Sequence, residues 1–274
     1  MEAKTKAPDI ASLRLFDSCV TLGRTVCPGV PESLTPDNIL QVMDKYDIAE
    51  ALVHDHEARM IRPRARGNRQ LLETIKGMDR LHPVWILEPP ESPDPREAYG
   101  MVQEMLDSGV KAARLMMGLA PPMLWLWDDL CTALEEHYVP CFLDFAPLRF
   151  SPGAGTTQGL PDSTAMEQLL DICLAHPDLP LILSHVSGGL GLAYPTVPLM
   201  RRMPNLHTDV TGVVNYWRRV AVSLGPQRVL FATGMPFYEP ATFISNVQYA
   251  HEIDEEAKKR ICGDNLRALL EAVE

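Results

Sequence analysis

What most limits the fold of this 274-residue chain is a recurrence: a short apolar segment, then a longer stretch with helical spacing, about eight times over. The short segments are Leu13–Asp17, Ala51–His54, Val84–Leu87, Lys111–Met116, Cys141–Asp144, Leu181–Ser184, Leu206–Val210 and Val229–Ala232. Such runs suit strands buried on both faces. Among the intervening helices, Pro36–Tyr46 has Thr35 as N-cap and proline at its first position. Pro95–Ser108 is followed by Gly109, which suits a left-handed C-terminal stop. Trp127–His137, Ser163–His176 and Glu255–Glu274 also carry helical spacing, the last with a break near Gly263. Strand alternating with helix implies parallel pairing through right-handed crossovers. Eight such units close a (β/α)8 barrel, an α/β fold that a chain of this length fits. A doubly wound open sheet competes, but it calls for a switch in strand order and fewer strands. No low-complexity tract or charge block divides the chain, so residues 1–274 read as one domain.

Bulk properties remove several classes of function. Hydrophobic residues make up 46% and charged residues 22%, the balance of a soluble globular protein. No apolar run approaches the roughly 20 residues that span a bilayer, and residues 1–8 lack the apolar stretch of a signal peptide. The six cysteines are scattered with no C-x-x-C pair, which fits a reduced cytoplasmic setting. A net charge of −11 argues against nucleic-acid binding, which needs a concentrated positive surface. Arg59, Arg62, Arg64, Arg66 and Arg69 form the densest basic stretch. It can meet an anionic substrate or an acidic partner, or serve as a solvated loop and helix start.

In a barrel, side chains at the carboxyl ends of the strands line the site. Those ends carry Asp17, Cys19 and Thr21; His54, Asp55 and His56; Glu88; Arg114; Asp144; His185; Asp209; and Thr233 to Pro236. Two connections are long, Val20–Pro36 and Ala146–Asp162. The second reads as a lid that brings Arg149 to an anionic ligand, or as a surface excursion.

Several segments, taken in order, resemble one family, the amidohydrolase-related metal-dependent hydrolases, which also include decarboxylases. Phe16–Gly23 (Phe-Asp-Ser-Cys-Val-Thr-Leu-Gly) stands where that family has Asp-x-His-x-His-x-Gly. Gly109–Leu115 is similar to its Gly-x-Lys-Gly-x-Lys-Leu, Pro140–Asp144 to its Pro-x-x-x-His, and Leu181–Gly189 to its strand ending in His before Gly-Gly. Arg228–Pro236 resembles Arg-x-x-Phe-Gly-Ser/Thr-Asp-x-Pro, and Ile261–Leu270 the closing Ile-x-Gly-x-Asn-Ala-x-x-Leu helix. The resemblance implies a metal held by two first-strand histidines, a fifth-strand histidine and an eighth-strand aspartate, with a sixth-strand histidine nearby. Here those positions hold Cys19, Thr21, Asp144, Gly234 and His185, and only His185 keeps the family's residue. A metal-activated water needs imidazoles and carboxylates around an open coordination position. No cofactor is therefore expected; the alternative is zinc on a relocated site of His54 and His56 with Asp17, Asp144 or Cys19.

His185 and Asp144 are the expected acid–base pair, though each has a structural reading: His185 as a brace for the Gly-Gly turn, Asp144 as a buried salt bridge with Arg114. Cys19 is a nucleophile if a nearby cation lowers its pKa, and otherwise packing. Arg114 and Arg24 can clamp a carboxylate by two-pronged hydrogen bonds, Asp17, Glu88 and Arg149 are further expected substrate-binding residues, and Glu88 and Asp209 are also candidate acids. The expectation is a hydrolase or carbon–carbon lyase acting on a small carboxylated or cyclic substrate without the usual metal, in a chain that can form a homodimer. The competing expectation is a non-catalytic barrel that binds a ligand or partner.

Overall fold

The computed structural model describes residues 10–24, 33–60, 63–92, 94–117, 123–144, 163–184, 196–211 and 216–274. After one 3-10 turn (Ile10–Leu13) these comprise β1 (Leu15–Arg24), β2 (Ser33–Leu34), α1 (Pro36–Lys45), β3 (Ile48–Asp55), α2 (His56–Met60) and α3 (Arg64–Thr74). There follow β4 (Leu81–Pro83), β5 (Trp85–Leu87), α4 (Arg96–Asp107), β6 (Ala113–Leu115), α5 (Leu124–Glu135), β7 (Cys141–Asp144), α6 (Ser163–Ala175) and β8 (Leu181–Ser184). The chain ends with α7 (Thr196–Arg202), β9 (Leu206–Asp209), α8 (Trp217–Leu224), β10 (Val229–Leu230), α9 (Pro240–Gln248), α10 (Glu255–Lys259) and α11 (Asn265–Glu271).

Two parallel runs, β1-β3-β4 and β5-β6-β7-β8-β9-β10, hold the ring, and β2 adds a short antiparallel edge to β1. They join on both sides. β4 and β5 are one strand that changes partner at Val84: Val84 N donates to Val53 O (2.8 Å) and Trp85 N to Ala112 O (3.1 Å). Opposite, β1 takes bonds with the segment after β10. Ser18 N donates to Phe231 O (3.0 Å), Thr21 N to Met235 O (3.0 Å) and Gly234 N to Cys19 O (3.1 Å). Hydrogen bonds thus run the whole way round, and the fold is a (β/α)8 barrel.

The local signals account for the helices that the sequence marks. Thr35 accepts from Asn38 N and caps α1 with Pro36 at its first position. Gly109, at φ +76°, stops α4. Three expectations change. β1 runs on to Arg24, so Val20–Arg24 is strand rather than loop. The stretch from Arg59 to Arg69 is largely helix, α2 and α3, packed so closely that a Cβ at Gly67 would sit 2.6 Å from Ala58 Cβ. The break near Gly263 is a π-helical turn (Arg260–Asp264) that keeps the helical path continuous. A Cβ there would lie 2.7 Å from Arg14 O, which is why glycine stands at that approach.

Strand alternation separates two cores. One face of each strand packs outward against the helices in the larger cluster, with Leu15, Val53, Leu87, Leu115, Leu143 and Leu183 among its members. The other face fills the barrel's amino-terminal half with Phe16, Leu52, Val84, Ala112, Phe142, Ile182 and Leu230, closed below by Leu266 of α11. Asn265 holds that closing helix by donating to Pro226 O and Val229 O, both at 2.8 Å. Two residues further along the same inward faces the apolar layer gives way to His54, Arg114, Asp144 and Ser184, all buried.

Candidate active site

That polar layer is the site, and a period of two generates it: Leu52 to His54, Ala112 to Arg114, Phe142 to Asp144, Ile182 to Ser184. β1 joins it through an irregular register between Asp17 and Val20. Cys19 thereby reaches Arg114.

Arg114 is the hub. Its Nη2 donates to Cys19 Sγ (3.3 Å), its Nη1 to Ser184 Oγ (3.4 Å), and Nη1 lies 3.5 Å from Asp144 Oδ2. Burial disfavours the guanidinium's charge, but Cys19, Asp144 and Asp209 outweigh that and hold its pKa above the usual value. Asp144 takes a second cation, Arg59, whose Nη2 lies 2.9 Å from Oδ2 and 3.2 Å from Oδ1. Two buried guanidinium groups share one buried carboxylate.

Arg59 reaches this point because α2 is fastened at both ends. Asp55 accepts from Ala58 N (2.8 Å), and Arg64 Nη1 donates to Ala58 O (2.8 Å) and Arg59 O (2.7 Å). α3 is tied to β5 in turn by the reciprocal pair Asn68 Nδ2 to Ile86 O and Ile86 N to Asn68 Oδ1, each 2.9 Å.

Asp17 closes the ring's seam. Its Oδ1 accepts from Cys19 N (3.0 Å) and Thr233 N (2.9 Å), and its Oδ2 from the Thr233 hydroxyl. Burial pushes its carboxyl up to about 7, against the lowering effect of those hydrogen bonds. Burial likewise pushes the Cys19 thiol up to about 12, with Arg114 opposing. Asp209 braces its own turn, accepting from Thr211 N (3.0 Å) and Oγ1 (2.7 Å), and its charge also acts on Arg114.

The expected site residues therefore divide. Cys19, Arg114 and Asp144 meet, and the expected Arg114–Asp144 pairing is present. Asp17 sits beside them on the seam. Glu88 is drawn to Arg64 (3.3 Å), and Arg24 is exposed where β1 pairs with β2. His185 and Arg149 lie outside the described residues. His54 and His56 do not share one extended face, because the helix α2 begins at His56. His54 Nε2 bonds Thr21 Oγ1 (3.1 Å), while His56 lies against Phe237. Sequence reasoning left Arg59 within a general basic stretch and missed Ser184. The available signals were the spacing of three from His56 to Arg59 at a helix start, and Ser184's place two residues past Ile182.

The metal that the family resemblance implies finds a poor set of donors here. A guanidinium already lies among Cys19, Asp144 and Ser184, and Thr21 is engaged with His54. Gly234 brings no side chain, and its N–H is bonded to Cys19 O. A divalent cation placed among these groups would face a fixed positive charge, so they do not fit it. No cluster of three or more histidine, cysteine, aspartate or glutamate residues suited to a metal occurs among the described residues.

A closed parallel barrel with its polar layer at the carboxyl ends of the strands defines the architecture of barrel enzymes whose chemistry sits in the βα loops. Within that class the amidohydrolase family matches residues 33–271, and the chain belongs to it. No curated protein matches it in sequence. Among solved structures it is similar to 5-carboxyvanillate decarboxylase from Sphingomonas paucimobilis, with TM-score 0.71, 15% identity, and 96% of this chain and 100% of that one covered. An uncharacterised TIM-barrel protein from Bordetella bronchiseptica gives TM-score 0.69 at 18% identity over 94% and 99%. A dihydroxybenzoic acid decarboxylase from Polaromonas, with bound manganese and 2-nitroresorcinol, gives 0.69 at 17% over 94% and 96%. Among the described residues no helix is long and apolar enough to cross a membrane.

Proposed function

We propose that this amidohydrolase-family barrel is a carbon–carbon lyase or hydrolase of small carboxylated, cyclic acids, with decarboxylation the better supported of the two. The observation that carries the reading is the pair of buried guanidinium groups, Arg59 and Arg114, that meet on Asp144 at the strand ends. The two cations meet where a substrate's anion would be held, and a buried setting strengthens their attraction for it. Solved relatives of the same fold that act on 5-carboxyvanillate and dihydroxybenzoic acid support the substrate class.

In this reading the arginines hold and polarise the acid. Arg114 supplies a fixed positive charge at the centre of the site, and the scheme routes no step through a metal. His185, which directly follows Ser184 at the end of β8, is the proposed acid–base residue, and it moves the proton at the reacting carbon or carbonyl. The protein is taken as cytoplasmic, and a homodimer is compatible with this scheme.

The test uses the purified protein treated with a chelator, and a second sample supplied with manganese or zinc. Each is incubated with a series of hydroxybenzoates and 5-carboxyvanillate while carbon dioxide and hydrolysis products are followed. Turnover that the chelator leaves unchanged is the expected result. Turnover that appears only with added metal, with one equivalent retained, overturns the metal-free scheme. A second reading, a non-catalytic acid-binding barrel, draws on Cys19, Thr21 and Gly234 at the former ligand positions. Acid binding without turnover would select it.

A further inference from the structure

His56 is 3% exposed, yet among the described residues neither of its ring nitrogens has a hydrogen-bond partner. Buried polar groups are ordinarily bonded, and one left unfilled is destabilising. The other histidines show how readily this chain meets that need. His176, equally buried, bonds Glu135 through Nδ1 and Asp128 through Nε2, both at 3.1 Å. His54 has Thr21, and His82 has Glu50 at 3.0 Å. His56 is the exception, and it stands on the barrel's rim rather than in its wall.

Its surroundings say what it faces. One turn along α2, on the same helix face, Arg59 carries its charge to Asp144 but leaves its Nε without a partner among the described residues. Phe237, from the segment that follows the β10 seam, lies beside the imidazole with ring centroids 5.9 Å apart at 42°. Gly23 at the end of β1 is close by: a Cβ there would be 3.6 Å from His56 N. Burial, and secondarily Arg59, pushes the imidazole down to about 4, so at neutral pH it offers one N–H donor and one bare nitrogen acceptor. The guanidinium Nε adds a donor. A flat ring bearing a carboxylate and an adjacent hydroxyl matches the bare nitrogen and the guanidinium Nε: its carboxylate accepts from Arg59, its hydroxyl donates to the bare nitrogen, and its face lies along Phe237.

We propose that His56, with Arg59 Nε, is a specificity subsite that reads a hydroxyl group next to the substrate's carboxylate. The inference rests on the acid-binding reading above and deepens it.

Calorimetric titration with 2-hydroxybenzoate and benzoate, on the full chain and its His56→Phe and His56→Asn variants, tests it. The expected result is a preference of about tenfold for 2-hydroxybenzoate in the unaltered protein. His56→Phe should bring that preference to within about twofold while benzoate binding holds, and His56→Asn should recover part of it through its amide. Unfolding in urea separates this from a structural role. A phenylalanine of similar shape leaves no nitrogen unfilled, so His56→Phe should be at least as stable as the parent. A preference that survives His56→Phe, equal binding of both acids by the parent, or a destabilised His56→Phe that loses both acids together each overturns the subsite but leaves the acid-binding reading standing. A parent that binds neither acid overturns that reading, and the subsite with it.

Discussion

Arg114 donates to the Cys19 thiol across 3.3 Å, so the fourth strand of the ring reaches the first through the centre of the barrel mouth. The contact joins two positions where the family resemblance leads one to expect a lysine and a histidine. A cation beside a thiol commonly marks an activated cysteine. Here burial wins, and the thiol is pushed up to about 12. At pH 8 the thiolate fraction is then about one in ten thousand. Cys19 should resist iodoacetamide in the native protein, with labelling at least about a hundredfold slower than in urea, as peptide mass mapping reads it. Rapid native labelling at Cys19 would show an activated nucleophile instead.

Asp144 is the only described carboxylate that touches both Arg59 and Arg114. Removing it strands two buried cations, whereas removing Arg59 leaves the Asp144–Arg114 pair in place. Asp144→Asn should therefore cost about 3–5 kcal/mol of stability and Arg59→Ala clearly less. Equilibrium unfolding in urea measures both. Equal losses would show that Arg114 does not draw on Asp144, contrary to the charge sharing inferred for the site.

The barrel was legible because its strands are buried on both faces, which makes them continuous apolar runs; Cys141–Asp144 and Leu181–Ser184 match their expected limits residue for residue. Elements with mixed composition were not. α3 holds three arginines and a glycine, a combination that reads as solvated loop until its packing on Ala58 is known. At the site, sequence order placed Cys19, Arg114 and Asp144 at one rim and allowed for the Arg114–Asp144 pair. It could not supply Arg59, which depends on the direction in which α2 leaves β3. Nor could it show that His54 and His56 part company, because alternation holds only while the backbone stays extended.

Gly67 sets the position of Arg59. In an exposed helix interior, exchanging glycine for alanine gains up to about 1 kcal/mol. At Gly67 the added methyl would meet Ala58 Cα and N at 2.7 Å, backbone that cannot swing aside as a side chain can. Gly67→Ala should then destabilise by about 1–3 kcal/mol through overpacking. By pushing α2 off α3 it should also weaken benzoate binding, which Gly100→Ala in α4 should not, since a Cβ there meets nothing within 4 Å and the backbone is helical. Denaturation and calorimetry on the two variants check both halves; a Gly67→Ala protein with unchanged affinity would detach α2 from acid binding.

Asp17 gives the barrel a pH dependence of definite sign. Its carboxyl sits at about 7 in the fold, against 3.8 as the reference value for the unfolded chain. Between those values the folded state holds a proton that the unfolded state has released. Asp17 therefore favours folding fully below about 4, and that contribution is lost as the pH rises through 7, by a few kcal/mol in all. Ionisation at alkaline pH forces a buried charge beside Asp209, which raises the carboxyl further. Asp17→Asn keeps an acceptor for Thr233 N but has no proton to lose. Its stability relative to the parent should improve steadily from pH 5 to pH 8, read as the difference between the two urea midpoints at each pH. A difference that stays flat over that range would mean that Asp17 is already ionised in the fold at pH 5. The Thr233 and Cys19 hydrogen bonds would then outweigh burial at the seam that closes the ring.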